Sequence, residues 1–154
     1  MIQGAIKIEV PFDSVFPFGA LGLGVDKLLD FDKRGTGDDQ ARDKETGDRV
    51  WVVRVTDLDP EAAKPGRTSE VKVKIVAPVQ PVLPKRQHPH VPPAVVFEGI
   101  TLTPYVDTAR CNGGSTRCRG RQAYSVRATG MRAPSQADYA AVLDREAAVD
   151  GGDG

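Results

Sequence analysis

Residues Arg49 to Thr56 constrain the fold more than any other stretch. Trp51, Val53 and Val55 occupy one parity of an extended chain, and Val50, Val52 and Arg54 the other. An apolar, β-branched run with two greasy faces belongs in the middle of a sheet. The same period of two recurs along the chain. In Ala5 to Val10, Ile6, Ile8 and Val10 oppose Lys7 and Glu9, and Pro11 ends the ladder or marks an edge. In Ser69 to Ala77, Val71, Val73 and Ile75 oppose Lys72 and Lys74. In Val95 to Val106, Ile100 and Leu102 oppose Thr101, Thr103 and Tyr105, with Gly99 as a bulge. In Ala123 to Thr129, Tyr124, Val126 and Ala128 oppose Ser125, Arg127 and Thr129.

The connections are written in turn residues. The chain has 16 glycines and 12 prolines in 154 residues, and they cluster between the strand runs. Val15 to Val25 is apolar but broken by Gly19, Gly22 and Gly24, which predicts a bent or bulged strand continuing as far as Phe31. Asp43 to Asp48 reads as a hairpin tip, and Asp59 to Ala63 as one helical turn with Pro60 at its first position. Residues 78–93 hold six prolines and predict an extended, poorly ordered loop. Ser135 and Asp138 form a capping pair for a short helix around Tyr139 to Ala147, and the glycine- and aspartate-rich end predicts disorder.

Five or six strands with long loops and little helix point to a barrel or sandwich, not to alternating βαβ units. The expected fold is mainly β: a small five- to six-stranded antiparallel barrel, like the oligonucleotide/oligosaccharide-binding (OB) fold, followed by a short C-terminal helix. The pattern does not separate it from other small barrels. Residues 1–134 form the expected barrel domain, and residues 135–154 the helix and acidic tail.

Lys plus Arg number 21 and so do Asp plus Glu, so an anionic partner must be met by a local patch. The charges are segregated. Arg110, Arg117, Arg119, Arg121, Arg127 and Arg132 fall in a stretch with no acid between Asp107 and Asp138. Lys64, Arg67, Lys72, Lys74, Lys85 and Arg86 form a second basic stretch with Glu70 as its one acid. Arginine suits phosphate because its planar fork donates two hydrogen bonds to one group. Lys72, Lys74, Arg110, Arg117, Arg119, Arg121 and Arg127 are therefore the candidate phosphate contacts. Tyr105, on the polar parity of its strand, is the candidate base-stacking ring. The competing reading is a solvated surface whose charges pair with neighbouring acids. Trp51, on an apolar parity, is expected in the core.

Other chemistry finds little support. Cys111 and Cys118 with His88 and His90 lack a close metal-binding knuckle, and the expected state of both cysteines is the free thiol. The run Gly19 to Gly24 matches neither a phosphate loop nor a dinucleotide fingerprint. The aspartates of residues 38–48 lack the calcium-loop spacing. No nucleophile comes with a histidine and carboxylate set. The expectation is a protein without catalysis, cofactor or metal. No apolar run reaches the roughly 18 residues of a membrane helix, and the alternating N-terminus is unlike a signal peptide, so the expected location is the cytoplasm.

Several segments, in order, carry a likeness. They are Phe16 to Ala20, Asp43 to Gly47 leading into Val50 to Val55, and Val71 to Ile75 before the proline-rich loop, then Phe97 to Val106 and Ala123 to Gly130. Over about residues 3–134 the chain resembles the small actinobacterial plasmid replication, integration and excision activators. More faintly, its hairpin plan is similar to the single-strand DNA-binding proteins of filamentous phages. The resemblance implies a regulatory role in a mobile element and no defined site residues. Single-stranded DNA is then the expected ligand, with replication or excision proteins and a second copy of the chain as further partners. The alternative is an adaptor that recruits such enzymes without touching DNA.

Overall fold

The computed structural model describes residues 5–109 and 120–152. It is mainly β, with eight strands and one C-terminal helix of several turns. The strands are β1 (Ile8–Val10), β2 (Ala20–Lys27), β3 (Val50–Asp57), β4 (Glu70–Val76), β5 (Ala94–Glu98), β6 (Ile100–Asp107), β7 (Arg121–Ala128) and β8 (Gly130–Arg132). A helical turn, α1 (Phe12–Val15), precedes β2, and α2 (Gln136–Asp150) follows β8. The order across the curled sheet is β1-β6-β7-β4-β3-β2-β5-β8.

Two expectations need correction. The strand count is eight, not five to six, and the sheet is not wholly antiparallel. Gly99 adopts φ +59°, a left-handed conformation that glycine takes without cost, and this turns a single apolar run into β5 and β6. Short β8 adds a pairing that few residues announce in sequence, while β1 is the expected first strand cut to three residues. The pair β4–β7 is parallel, with Val73, Lys74 and Ile75 opposite Val126, Arg127 and Ala128. Hydrophobic period reports which face a residue takes, not which strand lies beside it.

The segment before β2 also differs from one bent strand. Phe16 donates its amide to the Phe12 carbonyl at 2.9 Å, and Gly19 at φ +88° turns the chain into β2. The reason is packing: the rings of Phe12, Phe16 and Phe97 lie 5.3–6.4 Å apart and close one end of the core. The bulge expected there is present as a register shift between Gly22 and Gly24. Beyond Lys27 the strand gives way to a 3₁₀ turn at Phe31–Lys33, with the Asp30 carboxylate accepting from the Asp32 amide. Asp59 to Ala63 makes successive turns without becoming a helix.

The core gathers the buried parity of six strands, including Ala20, Val53, Val55, Val73, Ile75, Val95, Phe97, Ile100, Val126 and Ala128. Trp51 is buried as expected, and its indole N–H donates to the Ala77 carbonyl at 3.0 Å. The proline-rich segment is pinned at Gly22, where Leu83 fills the space that a side chain would need. Its Gln80 side chain donates to the Val25 carbonyl at 3.2 Å. Helix α2 begins with the expected capping box, Ser135 and Asp138 each satisfying the other's backbone amide. None of its residues is buried. It is tied down by Arg145, which donates to the Asp13 carboxylate (2.7 Å) and the Pro17 carbonyl (2.8 Å), and by Arg132 on Asp138 (2.7 Å).

Candidate nucleic-acid interface

Register decides which side chains share the outer face. One transverse row runs Asp26, Val52, Lys74, Arg127, Thr101 and Glu9 through five adjacent pairings. Its cations stand in the middle and its acids at the two ends. The next outer row holds Arg54 opposite Lys72 and Thr103 opposite Ser125. The intervening row, Val53–Val73–Val126–Leu102, turns inward. Lys72 and Lys74 share the outer face about 7 Å apart along β4.

A cleft opens on this face because β4 and β7 pair over only three residues. Before that, Glu70 to Lys72 pair only with β3, and Arg121 to Ser125 only with β6. Their facing backbone edges therefore have no strand partner there. The resulting cleft of about 680 Å³ is lined by Lys72, Lys74, Thr103, Tyr105, Tyr124 and Ser125, with Val71 and Val126, and by Thr68 and the acidic Glu70. Tyr105 and Tyr124 are each half-exposed. Tyr124, whose hydroxyl accepts from the Gln122 side chain at 3.1 Å, is a candidate that sequence parity missed. It lies on the same parity as buried Val126, and only the divergence of β4 from β7 uncovers it.

The electrostatics are uneven. Arg127 pairs with Asp43 at 3.2 Å, and Arg54 pairs with Asp26 at 2.8 Å. Among the described residues, Lys72, Lys74 and Arg121 carry no ion pair. Burial, reinforced by the neighbouring Arg127 charge, holds the half-buried Lys74 ammonium below the usual lysine range. Asp43 is held below the usual carboxylate range by the Thr46 amide first and then by Arg127.

Of the residues expected to contact phosphate, Lys72, Lys74 and Arg127 come together. Arg121 shares their face but sits six residues along β7 from Arg127, about 20 Å away, opposite Asp107. Tyr105 falls between these two positions. Arg110, Arg117 and Arg119 lie outside the described residues, as do Cys111 and Cys118. Arg132 is engaged elsewhere, on Glu98 and Asp138.

No protein-family model matches the chain, and no curated protein or solved structure matches it either.

A second concavity lies away from this face. The hollow between α2, α1 and β5 measures about 380 Å³ and is walled by Phe12, Phe16, Phe97, Val96, Tyr139 and Val142. Among the described residues, no group of three or more His, Cys, Asp or Glu is placed to hold a metal ion, and no helix is long and apolar enough to cross a membrane.

Proposed function

We propose that this chain is a non-enzymatic, cytoplasmic DNA-binding protein that takes single-stranded DNA in the β4–β7 cleft. The observation that carries the reading is the cleft itself, with unpaired Lys72 and Lys74 on one wall and two half-exposed tyrosines beside them. Cations along a groove hold a phosphate backbone, and aromatic faces take unstacked bases. Duplex DNA keeps its bases stacked and offers nothing to such rings.

The pairing scheme supports an OB-like barrel as the scaffold. Strand β2 pairs with β3, β3 with β4, β4 in parallel with β7, and β7 with β6; β5, continuous with β6 through Gly99, pairs back onto β2. In this fold the second and third strands and the loops between the first and second and between the fourth and fifth carry the ligand. Here those positions correspond to β3, β4, the β2–β3 loop that holds Asp43, and the connection from β6 to β7. The likeness of its ordered segments to the plasmid replication, integration and excision activators supports a regulatory role in such an element.

The test is anisotropy of a labelled single-stranded oligonucleotide and its duplex across a salt series. Binding at low salt, tighter for the single strand and falling linearly in log–log form, supports the reading. Absence of single-strand binding at low salt contradicts it. The adaptor reading rests on the apolar hollow beneath α2 and on exposed Val79 and Val82 in the proline-rich segment. It predicts capture of a replication or excision enzyme without a DNA footprint.

A further inference from the structure

We infer that Asp43 stands in for a phosphate, so that the loop between β2 and β3 competes with DNA for the centre of the basic face. The inference rests on the single-strand reading and names how that same site is regulated.

Lys74 and Arg127 face each other across the parallel pair, their side chains rooted on the same side of the sheet. Two like charges at that spacing repel, and one anion between them is the cheapest remedy. The anion present is Asp43, 84 residues away in sequence. Its Oδ1 accepts from Arg127 at 3.2 Å. Its Oδ2 accepts from the Glu45 and Thr46 amides at 3.1 Å each, which fixes the carboxylate at the hairpin tip. Only 13% of the side chain is exposed.

Asp43 pairs with Arg127 alone, so Lys74 is left without a carboxylate among the described residues. A phosphate group carries more acceptor oxygens than a carboxylate and reaches both cations. The rest of the tip is lightly held on this side. Lys7 on Glu45 is a contact between exposed side chains at 3.3 Å. The loop's firm anchor lies farther back, where buried Gln40 donates to the Val50 carbonyl and accepts from Arg49. The turn itself is closed by the Asp43 amide on the Asp48 carbonyl (2.8 Å) and the Gly47 amide on the Asp43 carbonyl (2.9 Å), so phosphate exchanges for the carboxylate at Arg127 without unfolding the turn.

The test compares wild-type protein with Asp43→Asn by single-strand anisotropy over a salt series. Asparagine keeps an acceptor for the turn amides and removes the charge. The expected result is binding about three- to tenfold tighter at low salt. The salt slope should steepen by about one counterion, because Arg127 then exchanges an ion, not a carboxylate, for phosphate. In an Arg127→Ala background Asp43→Asn should change little, since its effect runs through that guanidinium. Glu45→Gln, a neutralised neighbour on the same tip, should leave affinity close to wild type.

Equal or weaker binding by Asp43→Asn, with wild type binding normally, overturns the inference and leaves the single-strand reading intact. So does equal tightening by Glu45→Gln, which reports bulk charge only. Binding by neither protein sinks both.

Discussion

Lys74 of β4 and Arg127 of β7 are register partners across the parallel pair of the sheet, and a carboxylate from a distant loop reaches only one of them. Burial and the neighbouring guanidinium both disfavour the Lys74 charge. A fold has no stability reason to keep such a lysine, and a phosphate ligand supplies one. Lys74→Met should therefore raise folding stability by about 0.5–1 kcal/mol, a figure discounted because half the side chain remains wetted. The same variant should weaken single-strand binding and flatten its salt slope by about one. Chemical denaturation and anisotropy on one preparation measure both effects. Lower stability with unchanged binding would make Lys74 a structural residue.

Tyr105 and Tyr124 line the cleft from neighbouring strands. Replacing either by Ala should cost about 1–3 kcal/mol in single-strand affinity, the usual worth of a base on an aromatic face. Both rings are half-exposed, so folding stability should move far less than binding. Affinity for duplex should stay unchanged. Melting curves and parallel titrations with both ligands separate these outcomes.

The parities were legible in the amino-acid pattern. Val53, Val55, Val73, Ile75 and Val126 turn inward as their alternation requires, and Lys72, Lys74 and Arg127 turn outward. The α2 cap was legible too, because Ser135 and Asp138 interact within one turn. What escaped depends on partners distant in sequence. Nothing near Val73 announces a parallel neighbour at Val126, and nothing near Asp43 announces Arg127. Tyr124 shares the parity of buried Val126 and is uncovered only where β4 leaves β7. Arg54, on the parity of Val50 and Val52, is an outer-face cation paired with Asp26.

Gly99 makes the corner between β5 and β6 in a left-handed conformation. A Cβ at that position would run into the Thr129 side chain, whose hydroxyl donates to the Glu98 carbonyl at 3.1 Å. Gly99→Ala should cost about 1–3 kcal/mol from backbone strain and crowding together. Thr129→Ala in the same chain should recover the crowding share alone. Full recovery would show that the backbone conformation carries no cost.

Asp138 holds the start of α2 in two ways, through Arg132 and through the Ser135 cap. Those bonds, Arg132 foremost, depress its pKa well below the ordinary 3.8. A carboxyl depressed in the folded state contributes stability that is complete above its unfolded value and lost as pH falls through the folded one. Helix signal by circular dichroism should therefore hold at pH 5 and above, and decline below about pH 4. Asp138→Asn should show reduced helix already at neutral pH and a flatter acid transition. An unchanged acid transition would remove Asp138 from the attachment of α2.

The most direct measurement is a titration of the labelled protein with a single-stranded oligonucleotide at low salt, followed by amide chemical shifts. The largest shifts are expected at Lys72, Lys74, Tyr105, Tyr124, Ser125 and Arg127, with a smaller group at the Asp43 tip. No shifts on addition of DNA, or shifts centred on α2 and the hollow beneath it, would contradict it.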